Sequence, residues 1–368
     1  MHNPLQDTIQ TLLNSFVAEG NERGVQVAAY IDGELVVDAF AGVADARTGR
    51  AVDGDTLFPV FSTTKGIFST MIHILAERGQ IDYDTPIAKY WPEFAANGKE
   101  AVTMRHAMSH TSGIPYVAEG ITLEQTWDWD YMCRMVAQLR PVYPVGAKQH
   151  YHPLTFGWIL GETARRVDGR TVPQLLEEEI CRPLGMTRLY CGIPADVEPE
   201  TAFLELVPNP PVVVPPPPND VPPCAMPLHE WINRPGSRVV PQPGCSGIMS
   251  ARSIARHYAA CLPGGVDGVE LISPERLRIA TEEQIPTGGY DGGFGDKALG
   301  YQFGTRSDDL GHSATAFGHG GHGGSQGYGD TKYRLAVGIT RNRFSDHCLG
   351  PRIIQEIRPY LGAPIKKA

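Results

Sequence analysis

From Asp7 to Ala18 apolar residues return every three to four positions, at Ile9, Leu12, Leu13 and Phe16, and this spacing predicts an amphipathic helix. The period then shortens. Val25 to Tyr30, the turn pair Asp32-Gly33 and Glu34 to Ala41 read as a β-hairpin. A second hairpin is expected near the other end, from Ser325 to Tyr328, a polar turn at Asp330-Thr331-Lys332, and the β-rich run Tyr333 to Thr340. A closing helix follows around Pro351 to Leu361. Between the ends the signal is mostly helical. Ile67, Phe68, Met71, Ile72 and Leu75 form one apolar face, and Pro153 stands at a helix start before LTFGWILGETARRV. The expected organisation is an α/β domain from residues 1–70 and 240–368, with a mainly helical lobe, residues 71–239, inserted into it. The run from Pro208 to Pro223 carries nine prolines and reads as an extended, polyproline-like segment, either a linker or a wall of a substrate cleft. No repeat of fixed period is evident.

Composition narrows the class. At 368 residues, 42% of them hydrophobic and 20% charged, the chain reads as a folded, water-soluble protein of two lobes or one elaborated fold. Its net charge of −9 comes from acidic residues spread along the sequence, so nucleic acid is not an expected partner. The first twenty residues lack a basic segment followed by an apolar one, and no run approaches the roughly 18 apolar residues of a spanning helix. A cytoplasmic protein with no membrane partner is expected. Its seven cysteines are scattered without a Cys-x-x-Cys pair, which suggests reduced, mostly buried thiols rather than a disulfide framework or a zinc site.

The candidate chemistry begins at Ser62. It is the only serine with a lysine three positions on, in Phe61-Ser62-Thr63-Thr64-Lys65-Gly66, at the entrance to the helix just described. That spacing puts hydroxyl and amine on one helical face. A serine hydroxyl is a weak nucleophile until its proton is taken, and a desolvated lysine beside it can serve as the base. Four residues alone leave a second reading open, a helix-capping serine followed by a solvated lysine.

The surrounding motifs bear on that choice. Asp55-Thr56-Leu57-Phe58, the Ser62-x-x-Lys65 pair, Arg78-Gly79-Gln80-Ile81-Asp82 and Ser109-His110-Thr111-Ser112-Gly113-Ile114-Pro115 follow in order. Arg182-Pro183-Leu184-Gly185-Met186 and Gly318-His319-Gly320-Gly321 continue the series. From about Gly24 to Asn342 the chain resembles the serine β-lactamase-like hydrolases, most closely the class C β-lactamase and family VIII carboxylesterase branch. The resemblance implies an α+β fold of the β-lactamase/transpeptidase type, an antiparallel sheet flanked by helices with an inserted helical lobe and the site at their junction. It implies Ser62 as nucleophile and Lys65 and Tyr151 as its proton-handling partners, with Tyr151 as a phenolate whose pKa the Lys65 ammonium lowers. A family asparagine is replaced by Pro153 two residues after that tyrosine, which suits an esterase better than a lactamase. His319-Gly320-Gly321 stands where lactamases carry Lys-Thr-Gly. By analogy the backbone N–H groups of Ser62 and His322 form the oxyanion hole. The repeated GHGGHGG leaves the register His322-Gly323-Gly324 as an alternative. Histidine in place of lysine points to neutral esters rather than carboxylate-bearing lactams.

Other signals compete or add detail. Gly323-Gly324-Ser325-Gln326-Gly327 fits the nucleophile elbow of α/β-hydrolases, but a turn and a strand follow it, so Ser325 is expected to line the site instead. His106 and His110 have helical spacing without the glutamate of a zinc-protease motif, and no metal is expected. His150 and His152 flank Tyr151 and either shape the site or face solvent; His152 is counted with the substrate-binding candidates His319, Gly320, Gly321, Ser325 and Trp127. Trp127, Trp129 and Tyr131 either line an acyl pocket or pack in the core. The expected function is hydrolysis of small neutral esters through a Ser62 acyl-enzyme, without a cofactor. A transacylase, a β-lactamase or D-amino-acid peptidase, and a catalytically silent relative of the fold are the alternatives. Acyl and alcohol preference and oligomeric state carry no sequence signal.

Overall fold

The computed structural model describes residues 3–206, 220–287, 298–304, 313–344 and 349–362. Its strands in chain order are β1 (Gly24–Ile31), β2 (Glu34–Asp45), β3 (Arg50–Ala51), β4 (Phe58–Phe61), β5 (Leu189–Cys191), β6 (Glu205–Leu206), β7 (Gly247–Met249), β8 (Gln302–Phe303), β9 (Ala316–Gly320), β10 (Gln326–Asp330), β11 (Leu335–Arg341) and β12 (Arg343–Phe344). Seven of them form an antiparallel sheet in the order β3-β2-β1-β11-β10-β9-β8. The first and last parts of the chain therefore meet at the β1–β11 seam, where Val27 faces Ile339 and Ala29 faces Val337.

The alternation of β1 sorts two packed layers. Val25, Val27, Ala29 and Ile31 point to one side, against Ile9, Leu13 and Phe16 of the helix Pro4–Ala18 and Ile353 and Ile357 of the helix Leu349–Ile357. Ala28 and Tyr30 point to the other, into a larger core shared with the helices Thr63–Glu77 and Ala251–Cys261. Both faces of the sheet are covered, so β1 is buried along its whole length. The fold is the expected α+β arrangement of the β-lactamase/transpeptidase type.

The hairpin turn falls at Asp32 and Gly33, both at positive φ, as a two-residue turn requires. The second hairpin is shifted from expectation. Asp330 remains in β10, and its carboxylate accepts the Lys332 and Tyr333 amides, so the turn moves to residues 331–334. The middle of the chain is not wholly helical either: β5 joins β4 and β7 in a three-stranded sheet, and β6 pairs in parallel with β12. Residues 208–219 of the proline-rich run lie outside the described residues. None of the described helices is long and apolar enough to cross a membrane.

Three features converge on one place. Strand β4 runs into the helix Thr63–Glu77, which is buried from Thr63 to Ala76, with its polar side chains Thr64, Lys65, Ser69, Thr70 and His73 hydrogen-bonded inside the protein. The residues just before the helix Thr155–Asp168 and the loop at 241–246 approach it through the Pro153 and Gly244 carbonyls. The β9–β10 turn approaches through Ser325.

Candidate active site

Ser62 sits at the N-terminal cap of the helix Thr63–Glu77, yet its hydroxyl does not cap the helix. The Tyr151 hydroxyl donates to Ser62 Oγ at 2.8 Å, and Lys65 Nζ lies 3.2 Å from the same atom. The capping alternative left open by the sequence is thereby excluded. The chain makes a sharp turn into this position: Phe61 has φ +44°, unusual for an aromatic residue. Thr64 holds it there, since its hydroxyl donates to the Phe61 carbonyl at 2.5 Å and accepts the Gly247 amide at 2.9 Å.

Lys65 is fully buried. Nζ donates to the Pro153 carbonyl at 2.7 Å and the Gly244 carbonyl at 2.5 Å. Among the described residues no carboxylate offsets the loss of water, and burial pushes the amine down to about 7. A neutral amine has two N–H bonds. With both given to carbonyls, its lone pair is left facing Ser62 Oγ. The phenolate expected at Tyr151 is overturned: burial pushes the phenol up, its hydrogen bond to Ser62 only partly opposes this, and Tyr151 stands as a protonated donor. Lys65 does not offset this rise; its Nζ lies over the ring, 4.9 Å from the centroid.

Tyr151 is braced from both sides. The His110 ring lies 4.8 Å from it and the His319 ring 6.1 Å, centroid to centroid. His110, at φ +61°, stacks on Phe156 and accepts the His152 amide on Nδ1. His106 caps its own helix, with Nδ1 accepting the Thr103 amide. Among the described residues no group of three or more His, Cys, Asp or Glu is placed to hold a metal.

His152 is taken up by protein partners. Its Nε2 accepts from the Ile114 amide at 3.2 Å and lies 2.9 Å from the Ser112 hydroxyl, while Nδ1–H donates to the His150 carbonyl at 2.5 Å. Both ring nitrogens are occupied in a fully buried position. Its neighbour His150 points instead at Asp220, 3.5 Å away. Trp127 is half-buried over Gly236 and donates to the Ser237 hydroxyl at 3.2 Å.

On the opposite side, His319 and Gly320 end β9, and His322, Gly323 and Gly324 lie in the following turn. Gly323 and Gly324 have φ +85° and +92°, so the turn requires glycine at both. The Gly321 amide bonds back to the Ser325 carbonyl at 2.8 Å. The Gly324 amide bonds to the Gly321 carbonyl at 2.9 Å, so His322 is the first central residue of a tight turn. Neither the His322 N–H nor that of Ser62 has a hydrogen-bond acceptor among the described residues. The His322 ring packs edge-on against Phe61 and Phe344. His319 Nδ1 donates to the Gly320 carbonyl at 2.6 Å. Ser325 is neither an exposed elbow nucleophile nor a free lining residue. It is buried between two strands and gives its proton to the Val60 carbonyl.

The sequence brought forward Ser62, Lys65, Tyr151 and His319, which the structure places together. It missed the Pro153 and Gly244 carbonyls, because a backbone acceptor leaves no mark in residue type, and it missed Thr64, whose hydroxyl finds its role only through the distant Gly247 amide.

Comparison with known proteins agrees with this architecture. The family profile Beta-lactamase matches residues 9–358. Esterase/beta-lactamase LipL of Mycobacterium tuberculosis is 32% identical over 362 residues, covering 92% of this chain and 80% of LipL. The crystal structure of a family VIII carboxylesterase superposes with a TM-score of 0.86 at 33% identity, over 97% of this chain and 98% of that one. EstA from Arthrobacter nitroguajacolicus Rue61a gives a TM-score of 0.84 at 26% identity, with 98% of each chain covered. With the family's fold around a Ser-x-x-Lys pair whose lysine is buried, and a tyrosine on the serine oxygen, the chain belongs to the beta-lactamase family.

Proposed function

We propose that the protein is a serine carboxylesterase acting on small neutral esters. The observation that carries this reading is the double approach to Ser62 Oγ, a lysine with its other N–H bonds fixed on carbonyls and a protonated tyrosine. Neutral Lys65 takes the Ser62 proton as Oγ attacks the ester carbonyl. The negative charge that develops on the carbonyl oxygen is held by the N–H groups of Ser62 and His322. As the intermediate collapses, the Tyr151 hydroxyl protonates the leaving alkoxide and recovers its proton from Lys65, releasing an alcohol and leaving an ester on Ser62. Water then attacks that ester with the same groups acting in reverse, and the carboxylic acid departs.

His319 supports a neutral substrate. Where a lysine would present a permanent cation, this imidazole has one nitrogen committed to the Gly320 carbonyl. LipL, described as an esterase/beta-lactamase, and the family VIII carboxylesterase support the reaction class. His319, Gly320 and Gly321 form the edge along which the substrate would lie, and Trp127 remains a candidate for the acyl side. The working setting is the cytoplasm, whose reducing conditions suit the six described cysteines, all of them free thiols.

The test is turnover of p-nitrophenyl acetate and butyrate by wild type and Ser62→Ala, followed by intact mass. Ser62-dependent release and a mass increase of one acyl group are expected. Equal activity in Ser62→Ala would overturn the assignment. Running the assay with an amine acceptor separates the esterase, which yields acid only, from a transacylase, which yields the amide.

A further inference from the structure

The two N–H groups assigned to the oxyanion come from distant parts of the chain, one at the start of the helix Thr63–Glu77 and one in the β9–β10 turn. An oxyanion hole works only if its donors are held in place before charge develops, since their separation sets both hydrogen bonds. Something must therefore fix the turn against the helix.

The Ser325 side chain spans that junction by hydrogen bonds. Ser325 Oγ donates to the Val60 carbonyl at 2.7 Å and lies 3.1 Å from Thr63 Oγ1. Because the single Ser325 proton goes to Val60, Thr63 is the donor in the second bond. Val60 precedes Ser62 by two residues and Thr63 follows it by one, so Ser325 is bonded on both sides of the nucleophile. At its own end Ser325 closes the turn, its carbonyl accepting the Gly321 amide at 2.8 Å, one residue before His322. Ser325 is 2% exposed and Thr63 is fully buried, so water does not compete for these bonds. Gly321 shows how close the two pieces are: a side chain there would collide with the Val60 carbonyl and the Ser325 hydroxyl, and would come within 2.8 Å of Thr63 Oγ1.

We infer that Ser325 is a positioning residue that, through Val60 and Thr63, sets the distance between the Ser62 and His322 amides. It touches no reacting atom. It acts by holding the two halves of the oxyanion hole in register, and this rests on the esterase reading of Ser62. Losing it leaves substrate binding nearly intact and lowers the rate of the chemical step, because only the transition state places full charge between the two amides.

The experiment compares wild type, Ser325→Ala, Thr63→Val and Thr63→Ser on p-nitrophenyl butyrate, with Ser62→Ala in parallel. A boronic acid that mimics the tetrahedral intermediate is titrated against each. Removing one oxyanion donor outright costs about 10²–10³ in kcat, so displacing one is expected to cost about 10–100-fold. Ser325→Ala and Thr63→Val should show that loss, with KM within about threefold and boronate affinity falling in parallel with kcat. Thr63→Ser, which keeps the hydroxyl, should restore most of the activity. Thermal melts confirm folding, and if Ser325→Ala does not fold, the isosteric Thr63→Val with its Ser rescue decides alone. A kcat within twofold of wild type in folded Ser325→Ala or Thr63→Val overturns the inference. So does a loss in which KM rises while relative boronate affinity stays constant. Undiminished turnover in Ser62→Ala would instead bring down the esterase reading, and this inference with it.

Discussion

Gly157 and Gly244 meet backbone to backbone: a methyl group on Gly157 would collide with the Gly244 amide nitrogen and come within 3.0 Å of its Cα. A Cβ on Gly244 would in turn lie 2.9 Å from the Pro153 carbonyl oxygen. This contact sets the spacing of the two carbonyls that hold Lys65, since Pro153 precedes the helix carrying Gly157 and Gly244 supplies the other acceptor. Gly157→Ala adds helix propensity of about 1 kcal/mol. It also forces two packed backbones apart, which costs about 1–3 kcal/mol, and the cost prevails because backbone cannot rotate away as a side-chain tip can. A lower Tm and a kcat reduced by about tenfold or more are expected, since small displacements at the reacting groups are expensive. Thermal melts and p-nitrophenyl butyrate kinetics check both. Unchanged kcat would show that carbonyl spacing is immaterial to Lys65.

The pH profile reports on Lys65. Burial holds its amine near 7, so as the pH falls below about 7 the lysine gains a proton and loses its capacity as a base. kcat/KM should drop with unit slope on the acid side of an apparent pKa near 7. Lys65→Met, similar in length but without a proton site, should lose the activity at every pH by about 10²–10⁴-fold. Lysine in the unfolded chain keeps its proton up to about 10.4, so between about 7 and 10.4 the unfolded state binds more protons and stability rises with pH through this window. A rate profile flat from pH 5 to 9 in the wild type would remove Lys65 from the role of base.

How much of this was legible depended on where the information resides. The β-rich, mostly apolar run Val25 to Tyr30 and the Asp32-Gly33 turn located the first hairpin, because burial against two layers leaves its mark on residue type. Ser62, Lys65 and Tyr151 were legible because a hydroxyl, an amine and a phenol are side-chain chemistry set among known motifs. The carbonyls of Pro153 and Gly244 were not, since every residue has one. Nor were the protonation states. Tyr151 reads as a phenolate beside a cation only while Lys65 is taken as charged, and its charge is decided by the loss of water when segments 88 and 179 residues away close over it. The strands β5 and β6 span three and two residues, too short to show any period.

His152 offers a direct contrast between binding and support. Its ring satisfies the Ile114 amide, the Ser112 hydroxyl and the His150 carbonyl, and it follows Tyr151 directly in the chain. His152→Ala leaves those groups unpaired in a buried cavity, and a destabilisation of about 2–5 kcal/mol is expected from lost hydrogen bonds and lost packing together. At temperatures where the variant is folded, KM for a p-nitrophenyl ester should lie within about threefold of wild type. Denaturant melts and kinetics at 15 °C separate the two effects. A large rise in KM without loss of stability would return His152 to the substrate site.

Tyr151 can be tested through the leaving group. As a protonated donor on Ser62 Oγ, its task in acylation is to deliver a proton to the departing alkoxide. p-Nitrophenolate leaves without much help, whereas ethoxide needs the proton almost fully transferred in the transition state. Tyr151→Phe removes the hydroxyl and keeps the ring that packs between His110 and His319. The loss in kcat/KM should therefore be modest, about tenfold, for p-nitrophenyl butyrate and about 10²–10⁴-fold for ethyl butyrate. The comparison cancels any general disturbance of the site, because both esters place the same acyl group on the same serine. Measured by p-nitrophenol release and by butyrate formation respectively, equal losses for the two esters would mean that Tyr151 does not protonate the leaving group. Its hydrogen bond would then serve only to orient Ser62, and Lys65 would have to carry the proton in both directions.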